Sequence, residues 1–205
     1  VPIKENNITL YTCGPTVYDY AHIGNFRAYI FEDLLRRFLE AKGNEVFHVM
    51  NITDIDDKTI KRSMEENLSL EDFTNSYTDA FHEDVKALNI FPAHKYPKAT
   101  EFINQMIEMI KTLESKGYTY VTDDGSVFFK ISKFPEYGKL ANLDPEQLKT
   151  GERVEQDEYG KEEGRDFALW KGNKEEEGGI YWDSPWGKGR PGWHIECSAM
   201  STHYL

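Results

Sequence analysis

Apolar residues near the start of the chain fall into two short runs separated by one periodic stretch. Residues 8–11 and 45–50 (Glu-Val-Phe-His-Val-Met) are β-rich and read as strands. Between them Phe26, Ile30, Leu34 and Phe38 recur at helical spacing beside Phe31, Leu35 and Leu39. This predicts a helix over 26–42, and Gly43 stands where helices stop. The order strand, helix, strand predicts a parallel sheet with a crossover helix. The turn into the helix, Cys13-Gly14-Pro15-Thr16-Val17-Tyr18-Asp19-Tyr20-Ala21-His22, is rich in Gly, Pro and Thr. In α/β proteins such a turn cradles phosphates, because unpaired N–H groups and the positive dipole end sit at the helix start.

Further along, residues 58–67 and 70–88 read as helices, the second carrying Phe73, Tyr77, Phe81, Val85 and Leu88 on one stripe. Asp54, Asp56 and Asp57 follow the second strand at the edge where open α/β sheets bind ligands. They fit an acidic helix start and a substrate or metal role equally well. Pro92 and Pro97 punctuate the chain, and residues 99–116 form an amphipathic helix that Gly117 caps. The period then changes. Residues 118–121 and 127–131, on either side of Thr122-Asp123-Asp124-Gly125-Ser126, predict a hairpin. From 135 to 179 the chain is polar, and the acidic runs at 152–166 and 175–177 read as solvated loops. Residues 166–171 form an apolar island within it, a strand or anchor. A Gly/Pro/Trp loop over 182–193 leads into 194–200, a helix or strand, which the chain leaves soon after it begins; this reads as part of something longer.

The chain has 205 residues, enough for one domain or a domain with a large insertion, and its 12 Tyr, 12 Phe and 4 Trp can furnish a core. A net charge of −12 argues against wrapping nucleic acid over a broad face, though not against a local basic site. No apolar run approaches the roughly 18 residues of a membrane span. Residues 1–7 lack the apolar core of a secretory signal. Two distant cysteines do not suggest a disulfide framework, so the setting reads as intracellular and reducing.

Three long motifs stand in order: Cys13-Gly14-Pro15-Thr16-Val17-Tyr18-Asp19 with His22-Ile23-Gly24-Asn25, then Asn51-Ile52-Thr53-Asp54-Ile55-Asp56-Asp57-Lys58, then Gly189-Arg190-Pro191-Gly192-Trp193-His194-Ile195-Glu196-Cys197-Ser198-Ala199-Met200. Together they closely resemble the cysteinyl-tRNA synthetase family of class I aminoacyl-tRNA synthetases, over nearly the whole chain. The resemblance implies an α/β fold, a Rossmann-like parallel sheet interrupted by an inserted α+β connective domain. Residues 1–92 would form the first half of the catalytic domain, 93–183 the insertion and 184–205 the start of the second half. It implies activation of L-cysteine with ATP (and Mg2+) to cysteinyl-adenylate, then transfer to tRNA(Cys), by a cytoplasmic enzyme that reads as a monomer with no membrane partner. His22, Gly24 and Asn25 would be catalytic, and with Pro15 and Thr16 would bind the nucleotide. Gly14, Thr53 and Trp193 would contact the amino acid. Cys13 and Cys197 would be two of four ligands of a Zn2+ ion. The family's other two ligands, its Lys-Met-Ser-Lys-Ser loop and its anticodon-binding region would lie beyond residue 205, so the chain alone reads as inactive. The family's second signature histidine is replaced by Asn25, which donates hydrogen bonds without charge.

The chemistry gives each residue type a reason. Activation is an in-line attack on the α-phosphorus and needs positioned donors rather than a covalent nucleophile. His22 at a helix start can donate to a phosphate oxygen, and Gly24 lets the nucleotide approach the backbone. The alternative for His22 is a helix-start histidine packed beside Tyr18 or Tyr20. A soft metal would separate cysteine from serine better than an apolar pocket, which gains only about 1–3 kcal/mol from a small size difference. The alternative for Cys13 and Cys197 is ordinary burial. In the split sheet both would fall at the carboxyl edges of neighbouring strands, with zinc-bound sulfurs about 4 Å apart. Two competing functions remain: a cysteine ligase acting on an amino-sugar, and a non-catalytic nucleotide- or zinc-binding module.

Overall fold

The computed structural model describes residues 4–140, 166–173 and 179–205. Strand β1 (Asn7–Thr12) runs parallel to β2 (Glu45–Met50), with Asn7 beside Glu45 and Thr12 beside Met50. A parallel pair cannot close through a tight turn, and helix α1 (Ile23–Ala41) makes the crossover. Gly43 ends it with a φ of +87°, a left-handed conformation that a Cβ disfavours, and its N–H reaches the Glu40 carbonyl at 2.9 Å. Residues 95–98 add a third extended segment parallel to the end of β2. Met50 donates to the Lys95 carbonyl at 3.0 Å and Ile52 to the Pro97 carbonyl at 2.8 Å. The prolines that looked like punctuation are thus compatible with the sheet, because Pro97 needs only to accept.

Helices α2 (Asp57–Glu65) and α3 (Leu70–Ala87) follow, capped by Asp56 and Ser69. The Asp56 carboxylate accepts the Lys58 N–H at 2.9 Å, and the Asp56 N–H donates to Thr59 Oγ1 at 2.8 Å. This is a capping box, so Asp56 serves the helix start. Asp54 is buried and accepts from the Thr100 N–H (3.0 Å) and hydroxyl (2.6 Å), tying the strand end to the 3-10 turn Ala99–Phe102. Burial holds its carboxyl above the usual range, against those hydrogen bonds.

The core of this unit gathers Val17, Phe26, Tyr29, Met50, Ile52, Phe81, Val85 and Ile90. Phe26 stacks on Phe81 at 6.3 Å, and Tyr29 stands edge-on to both. The expected stripe of α1 is placed differently from its periodicity. Phe26 is buried, whereas Phe31 and Leu34 are 67% and 62% exposed, and Ile30 and Phe38 are exposed as well. The packed face instead carries Tyr29 and Arg36. The Arg36 guanidinium is satisfied by the Pro92 carbonyl and the Glu40 carboxylate, both at 2.8 Å, which permits its burial.

The chain divides into two compact units, Val1–Phe102 with Met200–Leu205, and Ile103–Ala199. The second holds α4 (Ile103–Ser115) and an antiparallel sheet of β3 (Thr119–Val121), β4 (Val127–Phe129), β5 (Phe167–Gly172) and β6 (Gly189–Pro191), in that order across the sheet. The predicted hairpin is β3–β4, and the apolar island is β5. Asp166 is buried and accepts the Ile131 N–H at 2.9 Å, so this last acid of the expected solvated run is structural. The acidic residues at 152–165 and 175–177 lie outside the described residues. Residues 194–200 fall in helix α5 (Trp193–Tyr204). Of the two forms expected for this segment it is the helix, and Cys197 stands on it.

Candidate active site

The loop after β1 is pinned to the carboxyl end of β2. The Gly14 N–H donates to Asn51 Oδ1 at 3.2 Å, and a Cβ on Gly14 would stand 1.9 Å from the Asn51 carbonyl oxygen. Only glycine lets the two backbones approach so closely. Pro15 and Val17 bracket Thr53 in a parallel bridge, with Thr53 donating to the Pro15 carbonyl (3.0 Å) and Val17 to the Thr53 carbonyl (3.1 Å). Thr53 is buried, and its hydroxyl accepts from Asn51 Nδ2 at 3.0 Å. It acts here as the post behind the loop.

His22 is the N-cap of α1. Its Nδ1 accepts the Gly24 N–H at 3.0 Å, and its own N–H donates to Asn25 Oδ1 at 3.1 Å, which makes a capping box with an imidazole in the usual place of a hydroxyl. Because Nδ1 accepts, the ring proton of the neutral imidazole sits on Nε2. The exposed ring thus offers an N–H donor where the helix dipole is positive. Asn25 spends its carbonyl oxygen on the cap and keeps its amide N–H groups. A cleft of about 260 Å³ opens between Gly14, Thr16, Tyr18, His22, Asn25 and Tyr29, with Pro15 also in its wall.

Two features of α2 and α3 stand at the rim. Asp19, also a cleft residue, pairs with Arg62 at 2.8 Å, and Arg62 reaches Tyr77 Oη at 3.3 Å and Glu66 at 3.5 Å. The Lys58 ammonium lies 4.8 Å from the centre of the Tyr18 ring. Behind the loop, Thr12 Oγ1 is hydrogen-bonded to His48 Nε2 at 2.9 Å, and burial pushes the His48 pKa down to about 4. Burial pushes the Glu32 carboxyl up to about 7, opposed by a hydrogen bond with the Thr12 side chain and aided by the Cys13 charge. Burial likewise raises Tyr29, with Glu32 and Cys13 adding to it. Sequence reading missed Glu32 and His48: one acid inside an apolar stretch and one histidine inside a strand carry no spacing signal.

Cys13 is exposed at the start of the loop, next to Gly14 of the cleft, and Cys197 is half-buried on α5. A thiol is the donor type that suits a soft ion such as zinc, and the two thiols stand in different units of the chain. Among the described residues, no group of three or more His, Cys, Asp or Glu side chains converges to hold a metal. Trp193, 54% exposed, opens α5 with its ring 5.5 Å from that of His194. Gly14, Pro15, Thr16, His22 and Asn25 are thus brought together around one cleft, Gly24 supports it and Thr53 backs it. Cys197 and Trp193 belong to the second unit.

A phosphate-ready helix start on a parallel sheet, in a chain that also carries an antiparallel sheet, is the arrangement of a class I aminoacyl-tRNA synthetase catalytic domain. The family model described as "tRNA synthetases class I (C) catalytic domain" matches residues 1–205, and the chain belongs to that family. Among curated relatives it is 60% identical over 206 residues to a cysteine--tRNA ligase of Brachyspira hyodysenteriae, covering 100% of this chain and 43% of the relative. It is 56% identical over 207 residues to that of Protochlamydia amoebophila, with the same shares, and 57% identical over 203 residues to that of Chlamydia caviae, covering 98% and 43%. The chain therefore spans less than half the length of the relatives it matches. In fold it is similar to Mycobacterium tuberculosis methionyl-tRNA synthetase in complex with methionyl-adenylate, with a TM-score of 0.68 at 13% identity, over 96% of this chain and 46% of that one.

Proposed function

We propose that this chain carries the nucleotide-binding part of a cysteine--tRNA ligase, which activates L-cysteine with ATP and transfers it to tRNA(Cys). The observation that carries the reading is His22 as N-cap of α1, its Nε2–H left available beside the cleft, in a chain 60% identical to a cysteine--tRNA ligase. In the first step a carboxylate oxygen of cysteine attacks the α-phosphorus of ATP. The bond to the oxygen shared with the β-phosphate breaks, and pyrophosphate leaves with that electron pair and its Mg2+. In the second, the ribose hydroxyl at the tRNA 3′ end attacks the carbonyl carbon, AMP departs, and the hydroxyl proton passes to solvent.

The residues of this chain serve the first step by position and charge. His22 Nε2–H donates to a non-bridging phosphate oxygen, the start of α1 adds a fixed dipole worth roughly +0.5 charge, and the Asn25 amide supplies a further donor. Such donors act because they are already in place when charge develops. Gly14, Pro15 and Thr16 form the wall on which nucleotide and amino acid rest, and Thr53 and Trp193 serve the amino-acid side. Cys13 and Cys197 would hold a zinc ion whose remaining ligands lie outside these residues; when bound it supplies a soft site for the substrate thiolate, and so selects cysteine over serine.

We read residues 93–183 as the inserted connective domain of a split Rossmann-like fold; β3, β4 and β5 of the separate antiparallel sheet fall within those bounds and support this reading, whereas residues 95–98, paired with β2, and β6 of that sheet depart from them. The enzyme would be a cytoplasmic monomer. No helix among the described residues is long and apolar enough to cross a membrane. The test is ATP–pyrophosphate exchange by the full-length protein. Exchange that depends on cysteine and is not supported by serine is expected; exchange with neither would overturn the reading.

A further inference from the structure

The cleft is short of positive charge. Its lining holds neither lysine nor arginine, the His22 Nδ1 is taken up by its cap, and Asp19 adds an acid. A triphosphate needs a cation nearby. Arg62 and Lys58 are, among the described residues, basic side chains in contact with the cleft wall, and Arg62 is committed to Asp19 at 2.8 Å, to Glu66 at 3.5 Å and to the Tyr77 hydroxyl at 3.3 Å. Lys58 is not committed in this way. Its ammonium lies 4.8 Å from the centre of the Tyr18 ring, and among the described residues no carboxylate pairs with it. The Tyr18 ring is itself part of the cleft wall.

We propose that Lys58 is a phosphate-positioning residue of this cleft, whose ammonium leaves the ring of Tyr18 to hold a phosphate oxygen of bound ATP. The inference rests on the nucleotide-binding reading above.

Its place in the helix supports a functional origin. Lys58 is the second residue of α2, at the positive end of the dipole, where acids are favoured and a cation is not. Local stability gives no reason for a lysine there. The backbone beneath it is nevertheless fixed: the Lys58 N–H is held by the Asp56 carboxylate at 2.9 Å, and Asp56 by Thr59 at 2.8 Å. A fixed base and a flexible four-carbon stem let the ammonium move by several ångströms without disturbing the helix. The aromatic face is a weak resting place for a hydrated ammonium, and a phosphate oxygen is a stronger partner.

The test uses the full-length protein and compares wild type with Lys58→Met and Lys58→Arg. Methionine keeps an apolar stem against Tyr18 and removes the charge. Lys58→Met should raise KM for ATP about tenfold in pyrophosphate exchange, leave KM for cysteine unchanged, and leave Tm unchanged or higher. Lys58→Arg should restore KM for ATP to within about threefold. Direct titration of ATP by calorimetry should show the same order of affinities, and it decides the matter even if wild type performs no cysteine-dependent exchange, an outcome that would sink the cysteine reading instead. An ATP affinity unchanged in Lys58→Met overturns the proposal, and so does an effect confined to KM for tRNA.

Discussion

The His22 imidazole folds back over its own helix onto the Gly24 N–H, 3.0 Å from Nδ1, and a Cβ on residue 24 would stand 2.7 Å from the ring carbon Cε1. The missing side chain of Gly24 makes room for the histidine itself. This adds a second reason for glycine beside the one read from sequence, close approach of a nucleotide to the backbone. Gly24→Ala should displace the ring, break the cap and misdirect Nε2. A loss of about 0.5–2 kcal/mol in unfolding free energy is expected from the cap. Adenylate formation should fall by roughly 10²-fold, as for a lost transition-state donor. Thermal melts and pyrophosphate exchange on the same preparation measure both, and activity within twofold of wild type would remove the coupling.

Asn25 separates stability from charge. Its Oδ1 accepts the His22 N–H at 3.1 Å, completing the box. Asn25→Ala should lose about 1 kcal/mol and some activity. Asn25→Asp keeps the acceptor and suits the helix start, so the melt should hold. It also sets a carboxylate beside the phosphates, so activity should fall further than in the alanine variant. Equal activity in the two variants would show that Asn25 serves only the helix.

Gly14 is held by backbone rather than by a movable side chain. Its virtual Cβ lies 1.9 Å from the Asn51 carbonyl oxygen, so Gly14→Ala must push the loop away from β2. Destabilisation of about 1–3 kcal/mol is expected, as for overpacking elsewhere, with weaker nucleotide binding. Denaturant unfolding reads the first effect. A midpoint equal to wild type would mean that the loop is not clamped there.

The buried His48 predicts a pH dependence of stability. Its folded pKa of about 4 lies below the ordinary histidine value of 6.5, so between those values the unfolded chain binds more protons. Stability from this group is complete above pH 6.5 and is lost as pH falls towards 4. His48→Phe should flatten that limb of a stability–pH curve measured by urea unfolding. An unchanged slope would place the acid sensitivity elsewhere.

How far the sequence could be read depended on whether a feature was local. Period and punctuation located β1, α1, β2, the β3–β4 hairpin and α4, because each is signalled within its own residues. They did not say which face of α1 is packed. Ile30, Leu34 and Phe38 recur as a core stripe should, yet they are exposed while Arg36 is buried, since burial depends on what lies opposite. The strand-like 95–98 and the short β6 were missed because Pro97 and Pro191 argue against strands, and both lie where proline is tolerated: Pro97 uses only its carbonyl and Pro191 closes its strand. At the site the motif words were legible, but the tautomer of His22 was not. It follows from an Nδ1 acceptor contact that only coordinates reveal.

The central claim, that His22 presents an Nε2–H donor to the phosphate of an activating cysteine ligase, is tested most directly by cysteine-dependent ATP–pyrophosphate exchange in full-length wild type and His22→Ala. The account predicts exchange in the wild type and a rate about 10²–10³-fold lower in the variant, with KM for cysteine little changed. A variant that exchanges at the wild-type rate would contradict it.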